Sequence, residues 1–308
     1  MILLNKMKFT NTVIEEIVQA HYELTVKAKS LDGYDELNFI LTESVDKKYI
    51  LKIAGEQHDK DFIDAQIKII AHLRNSPIAD QLQYYINNKK GEALTIIEEE
   101  GKIYYCRILN YLDGQFWVDV PHDHSSLHEN LGKFLAKMDA SLKDFKHPSM
   151  HRHYTWDIST ARDAHQKLKH IQSHEGRRLV DYFLLQFETV VLPTLSSFRH
   201  SYIHNDANDY NVLVKDDEIV GLIDFGDMVY TAIINNVAVA CTYAMLDQSD
   251  PIAAACLVVK GYHEQYPLEE KELEILYYLI AGRLCISLTQ SAYNASLDSK
   301  NEHHFITM

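Results

Sequence analysis

The sequence has little positive charge and no long apolar run, and these two absences limit what the protein can bind. Lys and Arg number 30 against 44 Asp and Glu, which gives a formal net charge of −14. Because nucleic-acid backbones are bound through basic surfaces, no nucleic-acid partner is expected. The longest nearly apolar segment, residues 237–246, is far shorter than the roughly 20 residues of a membrane-spanning helix. No membrane association is therefore expected.

Cysteine is also scarce, and its spacing argues against a disulfide framework. The 4 cysteines are widely separated, form no CxxC pair and lie in apolar segments, at Cys106, Cys241, Cys256 and Cys285. Buried reduced thiols are the expected state of such residues. The N-terminus has no signal-peptide pattern, because polar residues follow the short apolar run 1–4 at once. We therefore expect a cytoplasmic protein.

Hydrophobic periodicity divides the chain into a β-rich part and an α-rich part. In the β-rich part, helices are predicted at 12–23 and 60–74, and strands at 24–29, 38–42, 48–54, 82–86, 93–97 and 103–109. After Asp113 and Gly114 the spacing becomes helical, with helices predicted at 126–142, 157–172, 176–198, 232–246, 251–265 and 269–293. These patterns predict an α+β protein with two domains, residues 1–110 and 111–308.

A cluster of polar residues interrupts the α-rich part. Two short apolar runs on either side of the polar turn 215–218 predict a β-hairpin. Such a hairpin would bring Asn211 and Asp224 to the same end, with His204 and Asp206 on the loop just before it. Hard oxygen ligands of this kind suit Mg²⁺ when substrate phosphates supply the remaining ligands. The alternative is a polar turn next to a polar hairpin with no chemical role.

The same cluster has the groups that phosphoryl transfer requires. This reaction needs charge neutralisation and a carboxylate that orients and deprotonates the attacking hydroxyl. Asp206 suits the role of base, Asn211 and Asp224 suit the metal, and His204 is expected to brace the loop. In the β-rich part, Lys52 lies in a strand with apolar residues on both faces, so an inward side chain would need an anionic partner.

Nucleotide phosphates and an acid from the following helix would meet that need. Asp64 is the candidate acid, and Glu56 and Asp61 compete with it. The alternative for Lys52 is an outward-facing strand residue.

Two motifs carry a family resemblance. The sequences His204-Asn-Asp206 with Asn211, and Ile223-Asp-Phe-Gly226, resemble the catalytic and metal motifs of the aminoglycoside-phosphotransferase and choline-kinase branch of the protein-kinase-like fold. The wider runs 204–214 and 221–230 most resemble the hydroxylysine-kinase-like group and the kinase domains fused to class III aminotransferases. The resemblance extends over essentially the whole chain.

The resemblance implies a bilobal fold, with a small antiparallel sheet in the N-lobe and a helical C-lobe. It also implies ATP or GTP as donor, Mg²⁺, and a small acceptor with a hydroxyl group. Lys52 would hold the α and β phosphates, and Leu109 and Tyr111 belong to the hinge segment that would hold the purine by backbone groups. Two features depart from the family: the loop 31–39 has a single glycine, and the helix acid is Asp64 rather than Glu.

Acidic residues around these motifs indicate the acceptor. Asp209 and Asp227 flank the catalytic loop and the metal hairpin, and Asp157 starts a helix in the insertion that shapes the acceptor cleft in this fold. Such acids would bind the ammonium group of an amino alcohol. The alternatives are that Asp157 is a helix cap and that Asp209 orders its loop. Arg283 would meet either an acceptor carboxylate or a structural acid.

These observations favour a small-molecule kinase that phosphorylates an amino alcohol or hydroxylated amino acid of the hydroxylysine, ethanolamine, choline or homoserine type. The alternatives are an aminoglycoside phosphotransferase, or a nucleotide-binding pseudokinase module that regulates a fused aminotransferase-fold enzyme. The chain ends at residues 305–308 without an evident closing element. This ending fits a domain excised from such a fusion, so a class III aminotransferase-fold enzyme is an expected partner.

Overall fold

The structure is a computed structural model that describes residues 9–33, 36–120 and 125–297. The chain end at 305–308 and two residues of the glycine-poor loop, 34 and 35, lie outside these ranges. The described residues form two compact units. The first holds the residues up to Asn75 together with Ala79–Asp113, and the second holds Ser76–Ile78 and the residues from Gly114 onward. Within these ranges, each helix is too short or too polar to cross a membrane.

The first unit is an antiparallel sheet with two helices. The elements are α1 (Asn11–Tyr22), β1 (Lys27–Leu31), β2 (Leu37–Ser44), β3 (Lys47–Gly55), α2 (Lys60–Leu73), β4 (Tyr85–Ile86), β5 (Thr95–Glu99) and β6 (Lys102–Asn110). The strands run in the order β1-β2-β3-β6-β4, and β5 also pairs with β6. The predicted antiparallel N-terminal sheet is therefore confirmed.

Alternation along the central strands decides which side chains enter the core. On β3, Tyr49, Leu51 and Ile53 are buried in the cluster that α1 also enters, whereas Ile50 and Lys52 lie on the other, partly exposed face. Strand residues alternate between the two faces of a sheet. Lys52 therefore points away from this core.

Three predicted strands are shifted or shortened in the first unit, and the one predicted at 93–97 lies two residues later, at Thr95–Glu99. The strand predicted at 24–29 begins at Lys27, because Glu23 caps α1 in a left-handed conformation (φ 60°) that turns the chain before pairing starts. The strand predicted at 82–86 is reduced to Tyr85–Ile86. The preceding residue, Tyr84, instead makes a side-chain contact: its amide donates a hydrogen bond to Asn110 Oδ1 at 2.6 Å.

The second unit is mostly helical, with three short pairings between strands. Its elements are β7 (Gln115–Phe116), α3 (Ser125–Leu142), a 3₁₀ helix (Ile158–His170), α4 (His174–Gln186), β8 (His200–Ile203), β9 (Val212–Lys215), β10 (Glu218–Leu222), β11 (Val229–Ala232), α5 (Ile234–Ala244), α6 (Pro251–Gln265) and α7 (Glu270–Leu297). The segment 157–172, predicted as a helix, forms a 3₁₀ helix, which has a similar spacing of apolar residues. The helix predicted over 176–198 passes into a π turn at Phe187–Val191, which ends two residues before Pro193.

The predicted hairpin is formed by β9 and β10. Its loop has two residues with positive φ, Asp216 (52°) and Asp217 (61°), as in the turns that match the twist of a two-stranded ribbon. Val212 pairs with Leu222, and the Ile223 amide donates to Asn211 O at 2.9 Å. This register places Asn211 across from the residue that precedes Asp224.

Two glycines permit close packing of α3 against α6. A Cβ atom on Gly261 would lie 2.0 Å from Glu129 O, and one on Gly132 would lie 2.1 Å from Val258 O. Backbone atoms in helices cannot move aside as a flexible side chain can. The two helices can therefore lie this close only with glycine at both positions.

We expect Gly261→Ala to lower the free energy of unfolding by about 3 kcal/mol, because the new methyl group overlaps helical backbone. Urea unfolding measures the change. Gly176→Ala is the matched control, because its nearest neighbour would lie at an ordinary 3.4 Å. That variant should be neutral, or more stable by up to about 1 kcal/mol. Equal stability of the two variants would contradict the packing argument.

Candidate active site

His204 ties the polar loop to the strand that precedes Asp224. Its ring is fully buried; Nε2 donates to Ile223 O at 3.0 Å, and Nδ1 accepts from the Asp206 amide at 3.3 Å. The ring also packs edge-on against Phe225, with centroids 4.9 Å apart. Burial lowers the pKa of His204, which favours the neutral tautomer that these contacts require. These contacts hold the polar loop against the strand that precedes Asp224.

The carboxylate of Asp206 is held by three side-chain donors. Oδ2 accepts from Asn208 Nδ2 at 2.9 Å and from Asn211 Nδ2 at 2.7 Å, and Oδ1 accepts from Arg283 Nη2 at 2.8 Å. An ionised carboxylate has about four lone-pair positions. Within the described chain, these contacts leave one lone pair, on Oδ1. The arrangement suits a base that must accept a proton from one direction.

A buried network supports this loop from behind. Asn205 adopts a left-handed conformation (φ 66°), and its amide donates to Asn236 Oδ1 at 3.2 Å. Asn236 Nδ2 donates in turn to both carboxylate oxygens of Asp139, at 2.9 and 3.1 Å, and Tyr262 donates to Asp139 at 2.7 Å. Sequence reasoning missed this network. The available signal was a carboxylate, Asp139, within the otherwise apolar stripe of α3.

Burial raises the pKa of Asp139 to about 7, and this shift predicts a pH dependence of stability. Between roughly pH 4 and 7 the folded protein holds a proton that the unfolded chain has lost, so stability falls as pH rises through this window. The slope from this group is on the order of 1 kcal/mol per pH unit. We expect Asp139→Asn to remove this slope, measured by urea unfolding at pH 5 and pH 7.5. Parallel pH profiles for the wild type and the variant would contradict the expectation.

The predicted metal ligands lie at the same end of the hairpin. Asn211 uses its carboxamide nitrogen on Asp206, at 2.9 Å to the main-chain oxygen as well as 2.7 Å to Oδ2, so its own Oδ1 is the end left to accept or ligate. Asp224 is exposed and adopts a left-handed conformation (φ 63°) in which Oδ1 accepts from the Gly226 amide at 3.2 Å. This pair of oxygen donors fits Mg²⁺.

The donor set is incomplete by itself. Among the residues that the structure describes, no three His, Cys, Asp or Glu side chains are grouped closely enough to hold a metal ion. A site built on Asn211 and Asp224 therefore depends on a carboxamide oxygen and on ligands from outside the chain. Mg²⁺ commonly binds in this way, through one or two carboxylates plus substrate phosphates and water.

Asp227 lies beside Asp206 in a different electrostatic environment. The Tyr154 hydroxyl donates a short hydrogen bond to Asp227 Oδ1. Burial, together with the nearby charge of Asp206, raises the pKa of Asp227 to about 7. Arg152 stacks on the Tyr154 ring at 4.0 Å and donates to the carbonyls of Gly226 and Met228 at 2.9 and 3.1 Å. The turn that carries Asp227 is thus fixed on two sides.

The other two predicted substrate acids lie in different settings. Asp157 is 5% exposed, and its Oδ1 accepts from the Ser159 amide at 3.0 Å, from Thr231 at 3.0 Å and from Asn235 at 3.2 Å. These contacts are those of a helix cap, which was the alternative for Asp157; its role in substrate binding stays a prediction. Asp209 is partly buried, and its carbonyl oxygen accepts from the Val118 amide at 3.0 Å. Its role in substrate binding stays a prediction.

In the first unit, Lys52 lies in a cluster of charges that is partly buried. Its Nζ is 3.9 Å from Glu36 Oε2, and Arg107 Nη2 is 2.8 and 3.0 Å from the two Glu36 carboxylate oxygens. Arg107 is 2% exposed and also donates to Gln66 Oε1 on α2 at 3.2 Å. The strand that contains Lys52 is paired with the strand that contains Arg107, with these two residues opposite each other. Sequence reasoning did not identify Glu36 as an acidic partner of Lys52.

Asp64, the predicted helix acid, lies 2.5 Å from Lys68 one turn further along α2. Its pairing with Lys52 stays a prediction. In the predicted purine-binding segment, Leu109 is buried and pairs with Ile50 on one side and Tyr85 on the other. The Tyr111 amide donates to Lys48 O at 3.3 Å. The contact of Leu109 and Tyr111 with a purine also stays a prediction.

Comparison with known proteins places the chain in context. A family model described as "Phosphotransferase enzyme family" matches residues 28–272. The chain is 29% identical to the hydroxylysine kinase of Bos taurus, over 98% of this chain and 87% of that protein. It is 24% identical to the homoserine kinase of Zymomonas mobilis subsp. mobilis, over 82% of this chain and 75% of that protein.

Among solved structures, the amicoumacin kinase hAmiN in complex with AMP-PNP, Ca²⁺ and Ami superposes with a TM-score of 0.75. The match covers 99% of this chain and 92% of that chain at 15% sequence identity. At this level of identity the likeness shows the fold. It confirms the predicted protein-kinase-like class.

Proposed function

The chain belongs to the phosphotransferase enzyme family, and from that premise we propose that it transfers the γ-phosphoryl group of ATP or GTP to the hydroxyl group of a hydroxylated amino acid or amino alcohol. The observation that carries the proposal is the geometry of Asp206. Three donors hold its carboxylate and leave one lone pair on Oδ1. Phosphoryl transfer requires a carboxylate oriented in this way toward the attacking hydroxyl.

Charge and family relatives support an acceptor with an ammonium group. Asp209 and Asp227, both partly exposed, lie on the same loop and turn as Asp206 and Asp224, so the site is rich in carboxyl groups. Two of the relatives are named for hydroxylated amino acids, hydroxylysine and homoserine. Compounds of this type have a hydroxyl group to attack and an ammonium group to pair with an acid. Ethanolamine and choline share this combination of a hydroxyl group and a cation.

Separate sets of residues would hold the phosphate-donor nucleotide and the metal ion. In the second unit, Asn211 Oδ1 and the Asp224 carboxylate would hold Mg²⁺, which neutralises phosphate oxygens during transfer. In the first unit, Lys52 would hold the α and β phosphates, with Glu36 and Arg107 fixing the charges around it. Asp64, Leu109 and Tyr111 keep their proposed roles toward the nucleotide.

In the proposed reaction, Asp206 is the proton acceptor and the residues that hold its carboxylate are the orienting groups. The acceptor hydroxyl gives its proton to Asp206 Oδ1 as its oxygen bonds to the γ-phosphorus. The bond from that phosphorus to the β–γ bridging oxygen breaks, and the nucleoside diphosphate leaves with the bonding electrons. Asp206 then releases its proton to solvent. His204 takes no proton, because both ring nitrogens are engaged in the brace.

A radiometric assay with MgATP and with MgGTP tests the proposal. The acceptors are 5-hydroxylysine, homoserine, ethanolamine, choline and one aminoglycoside. We expect at least one of the first four to be phosphorylated with a turnover number of about 1 per second or more. Preference for the aminoglycoside would favour that alternative. Nucleotide binding without phosphorylation of any acceptor would contradict the proposal and favour a pseudokinase module.

We also retain the expectation of a functional partner. Pairing with a class III aminotransferase-fold enzyme would place the phosphorylated amino compound before a pyridoxal-phosphate-dependent elimination of phosphate. The expectation rests on the motif resemblance. A pull-down with such an enzyme tests it independently of the kinase assay.

A further inference from the structure

Arg283 is a buried cation on α7 that meets the carboxylate of Asp206. Its side chain is 2% exposed, and Nη2 lies 2.8 Å from Asp206 Oδ1. The sequence left open whether Arg283 meets an acceptor carboxylate or a structural acid. An acceptor carboxylate cannot approach a guanidinium so deeply buried. The acid that Arg283 does meet is the proposed base of the reaction.

Several contacts fix the direction of this guanidinium. Nη1 donates to Trp156 O at 2.9 Å, and the guanidinium carbon lies 5.1 Å from the Trp156 ring and 5.8 Å from the Tyr243 ring. Trp156 directly precedes Asp157, the N-cap of the 3₁₀ helix, and Tyr243 belongs to α5. A guanidinium is planar and presents its N–H groups as a rigid fork. Because Nη1 is hydrogen-bonded and the guanidinium plane lies near two aromatic rings, the direction of Nη2 is fixed as well.

Arg283 acts on a different oxygen from the other two donors. Asn208 and Asn211 both bind Oδ2, and both belong to the loop that carries Asp206. Arg283 binds Oδ1 from a helix 77 residues away in sequence. Oδ1 is also the oxygen with the remaining lone pair. The loop therefore holds one end of the carboxylate, and α7 holds the end that would receive the proton.

We propose that Arg283 is a positioning residue, whose guanidinium fixes the direction in which Asp206 Oδ1 meets the acceptor hydroxyl. The proposal rests on the proposed function. The χ2 torsion of an aspartate is broad, so without Arg283 the carboxylate would be free to swing about its Oδ2 contacts. Small misplacements of a reacting group cost about 100-fold in rate. Nucleotide and acceptor would still bind, because Arg283 contacts neither.

The first test is the split between kcat and KM. We expect Arg283→Met to lower kcat by about 100-fold while the KM values for nucleotide and acceptor change by less than about threefold. Arg283→Lys keeps the charge and one donor, so it should recover part of the lost kcat. Steady-state kinetics with the preferred acceptor measure both variants. Nucleotide binding and melting temperature are measured on the same samples.

The second test is a double-mutant cycle with Asp206→Asn. If Arg283 acts through the Asp206 carboxylate, removing Arg283 should cost little once that carboxylate has gone. We expect less than about a threefold further loss in the residual rate of the double variant. A structural role would give the same factor of loss in both backgrounds.

Arg199→Met is the matched control. Arg199 also forms a two-pronged ion pair with α7, at 3.0 and 2.5 Å to the fully buried Glu272, and among the described residues it makes no hydrogen bond to Asp206. We expect this variant to lower the melting temperature and to leave kcat unchanged. The pair of variants therefore separates anchoring of the helix from positioning of the base.

The results that would overturn the positioning role of Arg283 differ from those that would overturn the proposed function. Wild-type kcat in folded Arg283→Met, or equal losses in both backgrounds of the cycle, would overturn the proposal. If Arg283→Met does not fold, Arg283→Lys decides: a lowered kcat with unchanged KM values supports the proposal, and a wild-type kcat overturns it. Full turnover by Asp206→Asn would instead overturn the proposed function. The two failures are therefore distinguishable.

Discussion

Asp206→Asn should lower kcat by about 1,000-fold and leave nucleotide affinity within about threefold of the wild type. General-base catalysis contributes roughly 100- to 10,000-fold, and a carboxamide cannot accept the hydroxyl proton. Affinity should persist because Asp206 bonds to Asn208, Asn211 and Arg283 and is proposed to touch the acceptor hydroxyl rather than the nucleotide. Single-turnover kinetics and calorimetric nucleotide titration give the two quantities.

The substitution also puts an NH₂ group among donors, so its effect on folding must be measured. The melting temperature of Asp206→Asn serves this purpose. Asp163→Asn is the control, because it removes a partly exposed carboxylate that pairs with His153 at 3.0 Å in the same unit. That control should keep the wild-type kcat. Full activity in Asp206→Asn would remove Asp206 from the role of base.

Asp224→Asn should lower kcat by about 1,000-fold and raise the Mg²⁺ concentration needed for half-maximal rate. Asp224 supplies the one carboxylate of the proposed metal pair, and a neutral carboxamide binds a hard cation more weakly. Asparagine tolerates the left-handed backbone at this position (φ 63°), so the backbone should not be strained. Rate measured against Mg²⁺ concentration reports the change.

A matched control lies in the same hairpin. Asp217 is an exposed aspartate with a similar backbone conformation (φ 61°), in the loop at the other end of the β9–β10 hairpin. Asp217→Asn should leave both the rate and its Mg²⁺ dependence unchanged. An unaltered Mg²⁺ dependence in Asp224→Asn would contradict its assignment as a ligand.

Local signals were enough to predict the hairpin and the residues at its end. Short apolar runs on either side of Asp216 and Asp217 indicate two strands and a tight turn, and the structure has them in the expected places. Once the hairpin is predicted, the neighbourhood of Asn211 and Asp224 follows from antiparallel pairing. His204 needed one further inference, that a buried imidazole in such a loop hydrogen-bonds to main chain.

Contacts between distant parts of the chain could not be predicted in this way. Glu36 and Arg107 are 71 residues apart, Asp139 and Asn236 are 97 apart, and Asp206 and Arg283 are 77 apart. Periodicity reports which face of an element is buried and says nothing about which polar groups meet inside. Asp157 illustrates the limit, because a helix cap and a substrate ligand have the same sequence signature.

Phosphoryl transfer to a hydroxylated amino acid with Asp206 as base is tested most directly by ³¹P NMR of wild-type protein with MgATP and 5-hydroxylysine, repeated with Asp206→Asn. We expect a phosphomonoester resonance that grows in a 1:1 ratio with ADP in the wild type and is nearly absent in the variant. Homoserine in the place of 5-hydroxylysine would extend the same test to a second hydroxylated amino acid. Release of ADP with inorganic phosphate alone, or an equal phosphomonoester signal from Asp206→Asn, would contradict the proposed function.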